Sequence, residues 1–234
     1  MQQVVHIFRK EFSAYFISPI AYIVIAIFLL VTGWFFFATF FLFNQANLRT
    51  FYALLPVVFA FVIPATTMRL ISEEINVGSD EILLTMPVTF RDVILGKFLA
   101  SVALVVAMLI PTVAYPLTVS VMGQLDWGPV VGGYLGAIFL GAAFSAVGLF
   151  ASALTRNQII AFIIGLAICF TLTLIDKMLY FLPQSLLGVF AYLGADFHFQ
   201  NIAKGIIDSR DILYFASICF VGLYGAYLAL LQRH

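Results

Sequence analysis

Charge is what this sequence has least of. Only 9% of its 234 residues are Asp, Glu, Lys or Arg, against roughly 25% in soluble domains, while 64% are hydrophobic and the mean hydropathy is +1.12. An aqueous fold of this length cannot hide so much apolar surface, so the solvent is a bilayer. The 11 basic and 11 acidic residues cancel, and without a basic excess there is no sign of a nucleic-acid partner. Cysteine is scarce as well. Cys169 and Cys219 both lie in apolar runs, which suggests neither a disulfide framework nor a thiolate metal site. No Gly-x-x-x-x-Gly-Lys-Ser/Thr phosphate loop occurs, so the chain does not bind ATP through that motif and any nucleotide energy must enter from another polypeptide.

What is present is apolar length. About 20 apolar residues in a helix cross the hydrocarbon core, and six stretches come close: Ile20 to Phe43, Phe51 to Met68, Phe98 to Met122, Val130 to Leu154, Ile159 to Leu182 and Ile212 to Leu231. The runs are continuous rather than alternating, which predicts helices and not barrel strands. The expected fold is therefore a single all-α membrane domain over residues 1–234. Residues 1–19 form an interfacial helix, because Val5, Phe8, Phe12 and Phe16 recur at helical spacing opposite Gln2, His6, Arg9, Lys10 and Ser13. Ser18-Pro19 turns the chain into the membrane. The first apolar run lacks a small-residue cleavage pattern and is expected to stay in the mature chain.

Lys and Arg set the orientation. With the N-terminus inside, the inner face carries Arg9, Lys10, Arg69, Arg91, Lys97, Arg156 and Arg233, and the outer face Arg49, Lys204 and Arg210, with Lys177 near an outer helix end. Both termini and the 69–97 loop are then cytoplasmic, and 183–211 is an extracytoplasmic segment. Within that segment Leu186 to Leu193 is too short to span and predicts a re-entrant or interface-lying helix, and Asp196 to Asp208 a second short amphipathic helix ending near Gly205. The spacing of His198, Asp196 and Asp208 fits no common metal site, so they are expected on a solvated or interfacial face.

Inside the spans, Gly133, Ala137, Gly141 and Ser145 form a small-residue stripe flanked by Gly132 and Gly136, expected to seat neighbouring helices of the same subunit. Pro56, Pro64, Pro111 and Pro116 bend the second and third spans. No ionisable residue sits at a span centre, where ion-coupled carriers keep theirs. Asp176 and Lys177 lie near an outer end and are expected to snorkel. Phe35, Phe36, Phe37, Phe40, Phe41 and Phe43 crowd the outer half of the first span as an interfacial aromatic belt.

The one extended polar insert runs from Arg69 to Lys97. Ser72-Glu-Glu-Ile75 starts as an N-capped helix would, and Gly78-Ser79 interrupts it. Asp80 to Thr85 can form a second short helix capped by Ser79. Met86-Pro87 stops that helix, and Thr89 with Arg91-Asp92 starts the third span. The order Glu73-Glu-x-x-x-Gly-Ser-x-Glu-x-Leu-Leu-Thr-x-Pro-Val-Thr, followed by Val93-Ile-Leu-Gly-Lys97, closely resembles the first cytoplasmic loop of type-2 ABC exporter permeases. Further along, His198-Phe-Gln-Asn-Ile-Ala-Lys-Gly-Ile-Ile-Asp-Ser-Arg-Asp-Ile-Leu-Tyr-Phe215 looks like the gliding-motility-associated branch of those permeases.

The resemblance implies a permease subunit of the bacterial inner membrane that is not itself an enzyme. It implies a dimer of ABC ATPases, which hold ATP and Mg while this chain holds no cofactor, and a second permease copy or paralogue. An extracytoplasmic accessory protein and membrane lipids complete the expected partners. By residue match, Glu73, Glu74, Gly78, Glu81, Leu84, Thr85 and Pro87 would seat a coupling helix in the ATPase. Relatives often carry basic residues before the loop glycine, where this chain has Ile75, Asn76 and Val77. The alternatives are an ion-coupled carrier or channel and a membrane-embedded lipid-modifying enzyme. The first lacks midplane charge, and the second lacks a workable set of His, Asp, Glu or Ser near one membrane face.

Overall fold

The computed structural model describes residues 2–43, 47–78, 89–177, 192–206 and 208–232. The described residues are helical almost throughout: α1 (Gln2–Ile17), α2 (Ile20–Phe43), α3 (Arg49–Thr67), α4 (Arg69–Val77), α5 (Phe90–Leu109), a 3-10 turn (Pro111–Val113), α6 (Ala114–Met122), α7 (Trp127–Leu154), α8 (Gln158–Leu174), α9 (Ala195–Ala203) and α10 (Ser209–Leu231). Among the described residues, five helical stretches are long and apolar enough to cross a membrane: Ile20–Leu42, Arg49–Val77, Phe90–Met122, Trp127–Leu154 and Ser209–Leu231. The shorter Gln158–Leu174 is apolar as well. The expected Leu186 to Leu193 helix falls mostly outside the described residues.

Helix starts follow local chemistry. Thr89 and Asp92 form a reciprocal capping box, each side chain taking the other's backbone N–H, and this fixes the start of α5. Asp126 accepts from Gly128 N, Asn157 from Ile159 N and Asp208 from Arg210 N, capping α7, α8 and α10. Pro111 opens the 3-10 turn that separates α5 from α6, and Pro56 and Pro64 lie inside α3.

The bundle is organised around α7, which packs against α3, α4, α5, α8, α9 and α10. Its small-residue stripe does what the spacing predicts, within this chain. A Cβ on Gly133 would enter the Tyr52 ring, one on Gly141 would come within 2.6 Å of Val105 Cγ1, and one on Gly136 would meet Phe199 at 3.2 Å. Tyr52 turns its hydroxyl to the Val130 carbonyl at 3.1 Å, so the phenol lying on Gly133 keeps a partner. Part of the phenylalanine belt is core rather than interface. Phe36 is buried and stacks on Tyr115 with ring centroids 5.1 Å apart, and Phe51 meets Tyr115 edge-on at 5.4 Å.

His198 corrects an expectation. It lies fully inside the protein, not on a solvated or interfacial face, and its partner is neither Asp196 nor Asp208. Its Nδ1 is 2.6 Å from Asp211 Oδ1, its Nε2 donates to the Tyr192 carbonyl at 2.9 Å, and the ring stacks on Tyr214 at 4.0 Å. Asp211 comes from the first turn of α10, across from α9, and with both ring nitrogens satisfied the imidazole can be buried. Asp196 is also buried, taking the Gln200 amide at 3.0 Å and Lys177 at 3.5 Å. Lys177 thus pairs with a carboxylate. Among the described residues no cluster of His, Cys, Asp or Glu could hold a metal ion.

Gly133→Val and Gly141→Val should each cost about 1–3 kcal/mol by overpacking and lower the melting temperature of the detergent-purified protein. An unchanged melt would mean that these close approaches do not exist.

Candidate functional site

The polar insert does not begin as a loop. The second span passes through a joint at Met68 and runs on as α4, carrying the chain roughly 13 Å further to Gly78. At the other side of the insert α5 is helical from Phe90, so residues 90–97 belong to the third span's helix. Ser72 is not the cap that the sequence suggested. It is buried in the middle of α4, and its hydroxyl donates back to the Met68 carbonyl at 2.5 Å. The physical reason is that α4 is nucleated by the helix before it, Met68 keeping right-handed helical geometry and making no side-chain cap of its own.

The joint is held from α7. Ser152 Oγ accepts from Ile71 N at 3.1 Å and Ser72 N at 3.0 Å and donates to the Met68 carbonyl at 2.7 Å. One hydroxyl thereby satisfies two of the first N–H groups of α4, which a helix start leaves open. On the opposite flank, Tyr15 of α1 donates to the Thr66 carbonyl at 3.2 Å, and the Arg69 guanidinium lies over the Tyr15 ring at 5.5 Å. Burial pushes the Tyr15 hydroxyl well above the ordinary phenol range, with Arg69 opposing, so it remains a donor at neutral pH.

Below the joint sits Lys97, only 2% exposed. Its ammonium donates to Glu11 Oε1 of α1 at 3.0 Å, to Glu74 Oε1 of α4 at 2.8 Å and to the Leu70 carbonyl at 2.6 Å. Those are three acceptors for three protons, so the buried cation is fully satisfied. The partners come from three separate elements. Gly96, one residue earlier, lets α1 lie directly on α5: a Cβ there would come within 2.7 Å of Ile7 Cγ2 and 3.2 Å of the Val4 carbonyl. Phe8, Phe12 and Phe16 pack along the core, while Val5 is turned outward.

Of the seven positions matched from sequence, three are described. Glu74 turns inward to Lys97, Glu73 is exposed on the other side of α4, and Gly78 ends the helix with φ +71, its N–H directed at the Glu74 and Ile75 carbonyls. That left-handed cap is where glycine is favoured. Glu81, Leu84, Thr85 and Pro87 lie outside the described residues, as does the expected second short helix. Sequence reasoning missed Glu11, Tyr15 and Ser152 and placed Lys97 only as the cation ending the loop. The available signal was a lysine inside the apolar run Val93-Ile-Leu-Gly-Lys-Phe98, which calls for a carboxylate from elsewhere.

An all-α bundle of apolar helices, with α1, α4 and α5 pinned by a polar cluster at one end, defines a multi-pass membrane protein. The chain belongs to the family described as ABC-2 family transporter protein, whose profile matches residues 5–218, from within α1 to within α10. Members are membrane transport subunits of ABC systems, generally without an ATPase motif of their own, and the family implies an ABC ATPase partner. A search of the curated proteins finds no match.

Glu11→Gln with Glu74→Gln removes both counter-charges of the buried ammonium and should cost about 3–5 kcal/mol. Adding Lys97→Met should recover part of that loss, read as a higher melting temperature for the triple variant than for the double. A triple variant no more stable than the double would contradict the pairing.

Proposed function

We propose that this chain is the permease subunit of an ATP-driven exporter, and that the insert from Arg69 to Lys97 is the surface on which its separate ATPase acts. The observation that carries the reading is the Lys97 cluster, because it ties the start of the insert to α1 and to the third span. A displacement of α4 would then be handed to two other helices rather than lost in a loop. Supporting it are the family membership, the exposed Glu73 beside the inward Glu74, and the order of residues from Glu73 to Thr89.

In this reading six helices cross the bacterial inner membrane with both termini in the cytoplasm. Two permease copies, identical or paralogous, enclose the path. Two ATPase subunits close on ATP and Mg, push Glu73, Gly78, Glu81, Leu84, Thr85 and Pro87, and bias a two-state bundle. The chain's own residues perform no chemistry. The likeness of the His198 to Phe215 stretch supports the gliding-motility-associated branch.

The test reverses charge at Glu73, which is exposed, and at Glu81, the next matched acidic position. Glu73→Arg with Glu81→Arg should lower ATPase co-purification in mild detergent about tenfold or more, as expected where docking charges are inverted, while the permease melt stays within a few degrees of native. Unchanged co-purification and unchanged stimulation of ATP hydrolysis would remove the insert from the ATPase contact.

A further inference from the structure

At the end of the bundle opposite Lys97, the turn after α9 is clamped onto the start of α7. Gly205 adopts φ +84, and a Cβ there would lie 3.3 Å from the Gly128 carbonyl carbon and 3.4 Å from Pro129 N, while Gly132 leaves no room for a Cβ beneath the Ile202 carbonyl. Between this clamp and the start of α3 opens a cavity of about 350 Å³, within the range of small-molecule sites. Its lining includes the apolar side chains of Leu48, Leu125, Pro129 and Val130, and it carries two cations, Arg49 and Lys204.

The lining holds more positive charge than it balances. Its carboxylate, Asp126, already accepts from Gly128 N at 3.0 Å as the cap of α7. The Tyr52 hydroxyl is committed to the Val130 carbonyl, and the Gln200 amide to Asp196. Among the described residues, the ion pairs involve neither Arg49 nor Lys204. Both α3 and α7 begin at this cavity, and the positive ends of their dipoles add to the same sign.

We propose that this cavity binds a phosphate-ester headgroup, with Arg49 and Lys204 on the phosphate and the ester's carbon skeleton against Leu125 and Pro129. A planar guanidinium suits phosphate oxygens in pairs, and an ammonium adds a point charge. The apolar part of the lining distinguishes an amphiphilic ester from a bare ion. Trp127 is half exposed next to Asp126 and Gly128, at the end of a span where headgroups lie. The same chemistry is offered by a phospholipid and by a soluble phosphate ester. The site is independent of how the ATPase is engaged.

The test uses the full chain with Trp34→Phe, which leaves Trp127 as the sole tryptophan of the two in the sequence. One arm measures retention of phosphatidylglycerol over phosphatidylcholine by native mass spectrometry. The other follows Trp127 fluorescence on titration with glycerol 3-phosphate and, separately, inorganic phosphate. Arg49→Gln with Lys204→Gln should weaken the response about tenfold or more, the size of one charge-assisted contact, and Lys10→Gln, in α1 outside this cavity, should leave it unchanged. Loss confined to the lipid arm assigns a phospholipid, and loss of the glycerol 3-phosphate response assigns a soluble ester; both uphold the site, whereas a response to inorganic phosphate alone overturns it. A native protein silent in both arms, or a double variant equal to native in both, overturns it. Since both side chains are exposed, the single variants serve if the double one expresses poorly.

Discussion

The arrangement depends on one ammonium group taken out of water. Burying a lysine is costly unless every proton finds an acceptor and its charge is answered, and Lys97 meets both conditions only when α1, α4 and α5 are brought together. Glu11 arrives from the amphipathic helix, Glu74 from the helix beyond the second span, and the Leu70 carbonyl from one turn earlier in that helix. Remove any one element and the ammonium is left short. The cluster is thus a constraint on geometry more than a source of net stability, consistent with the modest worth of buried ion pairs compared with apolar packing.

Around that constraint the joint at Met68 has a defined construction. Ser152 holds the start of α4 through two N–H groups and a carbonyl, and Tyr15 holds the end of α3 from the other flank. Two hydroxyls from α7 and α1 therefore hold a helix that is nearly continuous through the joint at Met68. In the proposed exporter, force on α4 reaches α1 and α5 through Lys97 and the bundle centre through Ser152. The stiffness comes from helix continuity and satisfied hydrogen bonds, with no need for a long-range pathway of weak contacts.

Much of this was legible in the sequence because lipid simplifies the code. Continuous apolar runs give helices, and Thr89 with Asp92 marks the start of the third span's helix, while the caps at Asp126, Asn157 and Asp208 emerge only from the structure. The stripe from Gly133 to Gly141 gave close packing within the chain for the reason its spacing suggests. The failures concern polar groups whose surroundings are set outside the local pattern. Ser72 looked like a cap because Ser-Glu-Glu is a capping pattern locally, yet a preceding helix overrides it. His198 looked solvated because Asp211, its true partner, belongs to another helix. Lys97 looked like a loop end because Glu11 lies 86 residues away. A periodic pattern reports the face of a helix, whereas a buried ion pair is a property of tertiary structure.

The most direct measurement is the distance between α1 and α4 during turnover. Spin labels at His6 and Asn76, both exposed, placed in a chain whose Cys169 and Cys219 are replaced by alanine, would report it in nanodiscs with the ATPase bound. If Lys97 makes α1, α4 and α5 one body, the distance distribution stays single and unchanged between the ATP-free and ATP-trapped states, and it broadens in Lys97→Met. A native protein in which the two labels separate on ATP binding would contradict it.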